Sequence, residues 1–217
     1  MQILVLTLFP EMFDAFWSHG MMRKAAEQGS VAAAALNIRD FALDRHQVTD
    51  DRPYGGGCGM VMKPEPLAAA IRAARKRAPA APTVLMTPQG RVFNQAIARE
   101  LAALPEIILV CGRYEGVDDR VCRELISDEL SIGDYVLTGG EVAAMVVIGD
   151  VTRLIPGVLG GADSAEHDSF SNGLLEHPHC TRPPVFEGAE VPEVLLTGHH
   201  RNIERWRLAA SLMRTFV

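Results

Sequence analysis

Residues 83–148 read TVLMTPQGRVFNQAIARELAALPEIILVCGRYEGVDDRVCRELISDELSIGDYVLTGGEVAAMVVI. Three times a short apolar run gives way to a glycine-bearing segment and then to a helical pattern. Residues 83–86 predict a strand, 87–90 a turn and 94–104 a helix; 106–111 predict a strand, 112–116 a turn and 117–126 a helix. The third unit is a strand over 130–136 interrupted by Gly133, a turn at 138–140 and an apolar helix over 141–148. Strand, glycine loop and helix in succession predict an α/β fold: a parallel sheet with helices on both faces.

The flanks extend this reading. Residues 3–9 form a nearly all-apolar run, as in a strand covered on both faces. One helix is expected over 10–28, with Phe13, Phe16, Trp17, Gly20 and Met21 on a single stripe. A second strand is expected over 31–38 and a helix over 64–78, with Leu67, Ala70, Ile71 and Ala74 inward and Arg72, Arg75, Lys76 and Arg77 outward. Between them, 40–63 contain DDRPYGGGCGM (50–60), whose four glycines in five positions exclude a helix. A loop of that length inside a domain is usually functional. Composition shifts after residue 156, where Gly, Asp and Ser displace apolar periodicity. The expected domains are therefore 1–158, a linker over 159–172, and a small helical unit over 173–217 that ends in a helix from His200.

Bulk properties remove several classes of function. The formal net charge is −6, so the chain does not coat nucleic acid by bulk charge, and a nucleic-acid partner needs local basic patches. Such a patch lies at the end: residues 201–217 hold four arginines against one acid. The first residues lack a basic leader, and the apolar run over 142–148 is far below the ~20 residues of a membrane span. Four cysteines without a CxxC pair read as reduced thiols of a cytoplasmic protein. Neither GxGxxG nor GxxxxGK[ST] occurs, which disfavours a Rossmann-type dinucleotide oxidoreductase and a phosphate-binding loop.

Ligands of an open parallel sheet bind beyond the carboxyl ends of its strands. TPQG, GRYEG and IGDYVLTGG all fall there, and with them Glu115, Asp118, Asp119 and Asp134; Arg153 and Asp168 follow. Asp118 and Asp119 open a helix, where the dipole accounts for them, whereas Glu115 in a tight loop has no such structural reason. His177, His179 and Cys180, with His199 and His200, carry ligand chemistry, but their spacing matches no standard zinc finger.

Taken together, LTLFPEMF (6–13), DDRPYGGGCGMVMKPEPL (50–67), TPQGRVFNQ (87–95), CGRYEGVDDR (111–120), SIGDYVLTGGE (131–141), RLIPGVLG (153–160), HDSF (167–170), CTRPPVFEGAEVPEVLLTGHH (180–200) and ERWR (204–207) resemble one family. It is that of the bacterial tRNA (guanine-N1)-methyltransferases of the TrmD type, in the knotted SPOUT class. The resemblance runs over essentially the whole chain. It departs at Cys58 and Ala143, where the family usually has proline, and at Thr87, where it has serine.

The resemblance implies a deep trefoil knot and S-adenosylmethionine bound among Met86, Thr87, Pro88, Gln89, Gly90, Gly112, Tyr114, Glu115, Ile132, Gly133, Asp134, Tyr135, Val136, Leu137, Gly139 and Gly140. It implies methylation of N1 of the guanosine 3′ of the anticodon, with Asp168 as base, Arg153 as charge stabiliser and Glu115 beside them. Magnesium held by Glu115 and Asp168, a homodimer, and tRNA contacts from Asp50, Arg52, Arg201, Arg205 and Arg207 are also implied, with no DNA or membrane partner. The alternative is a non-catalytic RNA-binding module on the same scaffold.

Overall fold

The computed structural model describes residues 1–160 and 168–216. Half of the linker expected over 159–172, residues 161–167, lies outside them, and with it His167 of the HDSF run. The chain divides into two compact units, Met1–Gly160 and Gly161–Val217.

The first unit contains β1 (Gln2–Thr7), α1 (Asp14–Ser18), α2 (Gly20–Glu27), β2 (Ala32–Asn37), β3 (Asp50–Asp51), β4 (Val61–Met62), α3 (Pro64–Arg77), β5 (Thr83–Val92), α4 (Gln95–Ala102), β6 (Glu106–Cys111), α5 (Asp119–Leu125), β7 (Asp128–Ser131) and α6 (Glu141–Leu154). The second contains a two-stranded hairpin, β8 (Val185–Phe186) and β9 (Ala189–Glu190), and two helices, α7 (Glu193–Leu196) and α8 (His200–Phe216).

The sheet is five-stranded in the order β2-β1-β6-β5-β7, and every pairing in it is parallel. Successive side chains of a strand face opposite sides, so an apolar run divides between two cores. Ile3, Val5, Ile107, Leu109, Val84 and Met86 pack with Met22 of α2, Ile97 of α4 and Val147 of α6. Leu4, Leu6, Ile108, Val110 and Leu85 pack on the other face with Leu67 and Ile71 of α3 and Val121 of α5. Each fully buried Leu or Ile contributes roughly 1.5–3 kcal/mol, which is why the central strands carry hardly a polar residue.

Several local expectations change. Residues 10–28 do not form one helix: a 3-10 turn (Pro10–Phe13) leads into α1, and extended His19 and left-handed Gly20 (φ +59°) separate it from α2. The break rotates the buried stripe, so Met22 and Ala25 are inside and Met21 is exposed. TPQG is not a turn that ends a strand but part of β5, which pairs with β7 at Val84–Met86 and again at Arg91–Val92 after a register shift. Gly90 permits the second pairing, because a Cβ there would run into the backbone of Glu129 and Leu130. The third strand stops at Ser131, short of the expected 136, and α6 runs on to Leu154, well past the expected 148. Arg75 does not point outward; its guanidinium donates to Thr83 Oγ1 (3.1 Å) and to the Leu125 carbonyl (2.7 Å), tying α3 to β5 and α5.

The long segment 40–63 is anchored at its far end. The Lys63 amide donates to the Thr49 carbonyl (2.8 Å), and β3 pairs antiparallel with β4. Gly55, Gly56, Gly57 and Gly59 all have positive φ, so this run turns through conformations that other residues rarely adopt.

Two helices show how the sequence starts them. Asn94 caps α4 by accepting from Ala96 N and Ile97 N (3.0 and 3.1 Å). Asp118 caps α5 by accepting from Arg120 N (3.0 Å), and it also accepts from the Arg120 guanidinium (2.7 Å). That guanidinium holds the Asp118 carboxyl below its ordinary range. A carboxyl depressed in the folded state stabilises above its unfolded pKa, and the contribution fades as pH falls through the folded value. Asp118→Ala should therefore cost about 1 kcal/mol near neutrality, with the gap to the parent chain shrinking at acid pH; urea unfolding from pH 7 down to about pH 3 measures both.

Candidate active site

At the carboxyl ends of β5, β6 and β7 the first unit opens a cavity of about 420 Å³. Its floor is apolar, from Leu85, Met86, Leu130 and Ala143, and polar groups of Thr87, Gln89, Ser131 and Thr138 face it from the rim. A volume in the 300–1,000 Å³ range with few polar groups is what a small-molecule pocket requires.

Two glycine loops close on each other to make it. The segment after β6 bridges the segment before α6 at Arg113 and Gly139, and the Gly140 amide donates to the Gly112 carbonyl (2.9 Å). Ser131 Oγ lies 3.0 Å from the Gly133 carbonyl, and Tyr135 Oη donates to the Ile132 carbonyl (3.0 Å), so the loop after β7 folds back on its own strand end. Tyr114 adopts φ +61°, uncommon for a residue with a side chain, in the loop that carries Glu115; such outliers concentrate at functional sites.

Glycines here serve protein packing more than chain freedom. Among Gly112, Gly133, Gly139 and Gly140 only Gly133 has positive φ (+147°). A Cβ on Gly140 would lie 2.8 Å from Cys111 Cα, and one on Gly139 would meet the Arg113 and Glu141 side chains. At Gly112 a Cβ would stand 3.6 Å from Val117, an ordinary contact.

Beneath the loops lies a buried charge pair. Glu141, at the first turn of α6, is 1% exposed, and its partner Arg113 is 18% exposed. Arg113 Nη2 sits 3.0 Å from Glu141 Oε2 and Nε donates to Oε1 (3.2 Å). Thr7 Oγ1 at the end of β1 donates to the same Oε1 (2.8 Å). The guanidinium also donates to the Thr138 carbonyl (3.2 Å) and stacks 4.5 Å from the Phe9 ring.

The segment 40–63 returns to this rim. The Glu115 amide donates to the Met60 carbonyl, the Met62 amide to the Gly116 carbonyl (both 2.9 Å), and the Asp118 amide to the Met62 carbonyl (3.2 Å). A Cβ on Gly59 would collide with the Glu115 side chain, so the glycine-rich run passes directly over that carboxylate. Buried Cys111 and half-buried Cys122 have thiols pushed up by burial, Cys122 to about 11, so neither is a nucleophile.

Of the residues expected at a cofactor site, Met86, Thr87, Pro88, Gln89, Gly112, Tyr114, Glu115, Ile132, Gly133, Tyr135, Val136, Leu137, Gly139 and Gly140 line the cavity. Gly90 and Asp134 do not: Gly90 is spent on the β5–β7 contact. Arg153 is half-buried in the last turn of α6. Asp168 is half-buried in the second unit, where its carbonyl accepts from the Ser171 amide (3.1 Å). Arg52, Arg201, Arg205 and Arg207 are exposed, whereas Asp50 is half-buried in β3. Sequence reasoning missed Arg113, Glu141, Thr7 and Thr138. The available signal was Glu141, an acid opening a helix otherwise apolar through Ile148.

The family described as tRNA (Guanine-1)-methyltransferase TrmD matches residues 1–217. The chain belongs to this family. A tRNA (guanine-N(1)-)-methyltransferase of Desulfatibacillum aliphaticivorans is 61% identical over 217 residues, all of this chain and 83% of that protein. One from Dehalococcoides mccartyi is 58% identical over 216 residues, 99% of this chain and 87% of that protein. The crystal structure of the tRNA (m1G37) methyltransferase from Aquifex aeolicus superimposes with a TM-score of 0.82 at 36% identity, covering 99% of this chain and 91% of that one. As a family member the chain is a methyltransferase, and the loops that in the TrmD resemblance hold the methyl donor are those that line the cavity here.

Breaking a buried ion pair by removing one partner is expensive, because the other charge stays buried. Glu141→Ala should cost about 3–5 kcal/mol, and the double change Arg113→Met with Glu141→Leu should recover much of it. Urea midpoints for the three chains test this; a single-variant loss below about 1 kcal/mol would show the pair to be screened like a surface one.

Proposed function

We propose that the chain methylates N1 of guanine in tRNA with S-adenosylmethionine as donor, the target being the guanosine immediately 3′ of the anticodon. The observation that carries this is the cavity, walled by the same three loops whose sequences mark the family. Its size, apolar floor and rim of backbone groups fit a nucleoside-like sulfonium, with Leu85, Met86, Leu130 and Ala143 against the apolar parts. The donor supplies an electrophilic methyl group whose leaving group is a neutral thioether.

The chain's own residues have three tasks. N1 of neutral guanine carries a proton, so its lone pair is unavailable until a base removes it. Asp168 takes that role, and general-base help is worth roughly 10²–10⁴-fold. As N1 loses its proton, negative charge spreads to the guanine oxygen, where Arg153 offsets it. The paired loops would hold the bound donor rigidly, the positioning that an in-line methyl transfer requires.

Magnesium is part of this reading. Glu115 and Asp168 each offer carboxylate oxygens, the donor type that magnesium takes one or two of while keeping waters and substrate oxygens.

The trefoil knot belongs to this reading through the TrmD resemblance, with which the parallel sheet order β2-β1-β6-β5-β7 is compatible. A homodimer is supported by the exposed Val136, Val142 and Val146 at the cavity's lip and along α6, since a second copy is the simplest cover for such a surface. Roles follow for the units: donor binding for residues 1–158 and tRNA binding for residues 173–217. A cytoplasmic location fits the four free cysteines, and among the described residues no helix is long and apolar enough to cross a membrane.

Asp168→Asn should lower single-turnover methylation of a tRNA transcript by about 10²–10⁴-fold with donor affinity unchanged in calorimetry. A transcript with adenosine at the target position should be inert. Near-normal turnover of the variant would remove Asp168 from the chemistry. No donor heat at all would point to a non-catalytic RNA-binding module.

RNA contact by an acidic chain must come from local arginines. Each phosphate contact adds about −0.7 to −0.9 to the log–log salt slope. Removing Arg205 and Arg207 together should make that slope shallower for tRNA while leaving donor binding untouched. An unchanged slope over a salt series would make these arginines a merely solvated helix face.

A further inference from the structure

The second unit holds a side-chain cluster that the methyl-transfer chemistry does not use. Glu176, His177 and His179 place one ligand atom each within 4.8 Å of one another, and among the described residues no other group of His, Cys, Asp and Glu does so. From this geometry we infer a binding site for a divalent transition ion of zinc type, made by these three side chains.

Three details favour an ion over a chance surface pair. His177 Nδ1 lies 3.2 Å from the Pro178 carbonyl. A carbonyl oxygen only accepts, so Nδ1 carries the hydrogen, and in the neutral ring Nε2 keeps its lone pair. A ligating histidine typically has its other nitrogen fixed in this way. His179 Nε2 lies 2.8 Å from Glu176 Oε1, a hydrogen-bonded pair whose shared proton an ion would displace as it took both atoms as ligands. The two imidazole rings are tilted by 51° with centroids 4.6 Å apart, close enough for one ion to reach both.

The backbone around the cluster is already held. Leu175 N donates to Thr215 Oγ1 of α8 (2.9 Å), and Glu176 N donates to Ser169 Oγ (3.0 Å). The His177 ring stands 6.4 Å from Trp206 of α8. A bound ion would therefore fasten residues 176–179 beside the helix that displays Arg205 and Arg207. Two imidazoles and one carboxylate suit zinc, cobalt or nickel, while magnesium prefers an all-oxygen shell. The site is thus separate in chemistry from the magnesium reading above, and it stands whether or not that reading holds. Cys180 follows directly and is exposed, but the three-ligand site does not need it.

The test uses the full-length chain, stripped with chelator, in a background with Cys58→Ser and Cys180→Ser so that exposed thiols do not contribute. Zinc chloride is titrated by calorimetry and cobalt chloride by visible absorption. One equivalent should bind with intensified d–d bands, and excess magnesium should not displace it. His177→Ala, His179→Ala and the conservative Glu176→Gln should each weaken binding at least about tenfold while circular dichroism stays unchanged. Binding that vanishes in the thiol-free background, or that survives loss of both histidines, would overturn the site.

Discussion

A carboxylate with almost no access to water, Glu141, holds together the part of the molecule that matters most. It receives Thr7 from the end of β1 and Arg113 from the loop after β6, and it opens the helix that follows the loop after β7. Three segments more than a hundred residues apart at the extremes thus meet on one side chain. Removing two charges from water costs several kcal/mol per ion, and the arrangement survives only because every participant has further bonds. Arg113 supplies them by reaching the Thr138 carbonyl and the Phe9 ring. The cavity walls are what this pair secures, since Gly139 and Gly140 pack directly against it and against the end of β6.

That constraint explains the composition of the loops. Glycine at 140 is required because the Cys111 backbone occupies the space a Cβ would take, and at 139 a Cβ would push the Arg113 and Glu141 side chains out of their pairing. Glycine at 90 is required because β5 resumes its pairing with β7 there. A glycine-rich motif therefore reports two different things, room for a ligand and room for another piece of backbone. Only the fold tells them apart. The same holds for Gly59, which lies against the Glu115 side chain, and the chain that follows it is stitched through Met60 and Met62 to residues 115–118.

Much of the first unit was legible from the chain. β6 has the bounds its apolar run announces, β1 and β2 fall within a residue or two of theirs, and Leu67, Ala70, Ile71 and Ala74 face inward as their spacing requires. Fourteen of the sixteen residues named for a cofactor line a single cavity at the sheet's carboxyl edge. The misreadings have a common cause. Proline and glycine in TPQG signal a turn locally, yet β7 is available to pair on both sides of it. Residues 10–28 carry a helical stripe, yet Gly20 adopts a left-handed conformation that rotates it. Arg75 looks like a solvated helix face until Thr83 and Leu125 are seen within its reach.

The sequence by itself determined a parallel α/β sheet, the three loops at one of its edges and, through the family's motifs, the residues to examine for methyl transfer. These are short-range signals, because side-chain period and turn chemistry are properties of a few consecutive residues. The tertiary structure alone decided that Thr7, Arg113 and Glu141 share one buried cluster, that residues 60–62 lie against 115–118, and that Glu176, His177 and His179 turn their ligand atoms toward one another. The first two depend on closing loops of many tens of residues, and no local pattern encodes which distant partner will satisfy a buried charge or an orphaned amide. The third depends on how Pro178 and α8 set three side chains on one side of a short segment, which spacing leaves open.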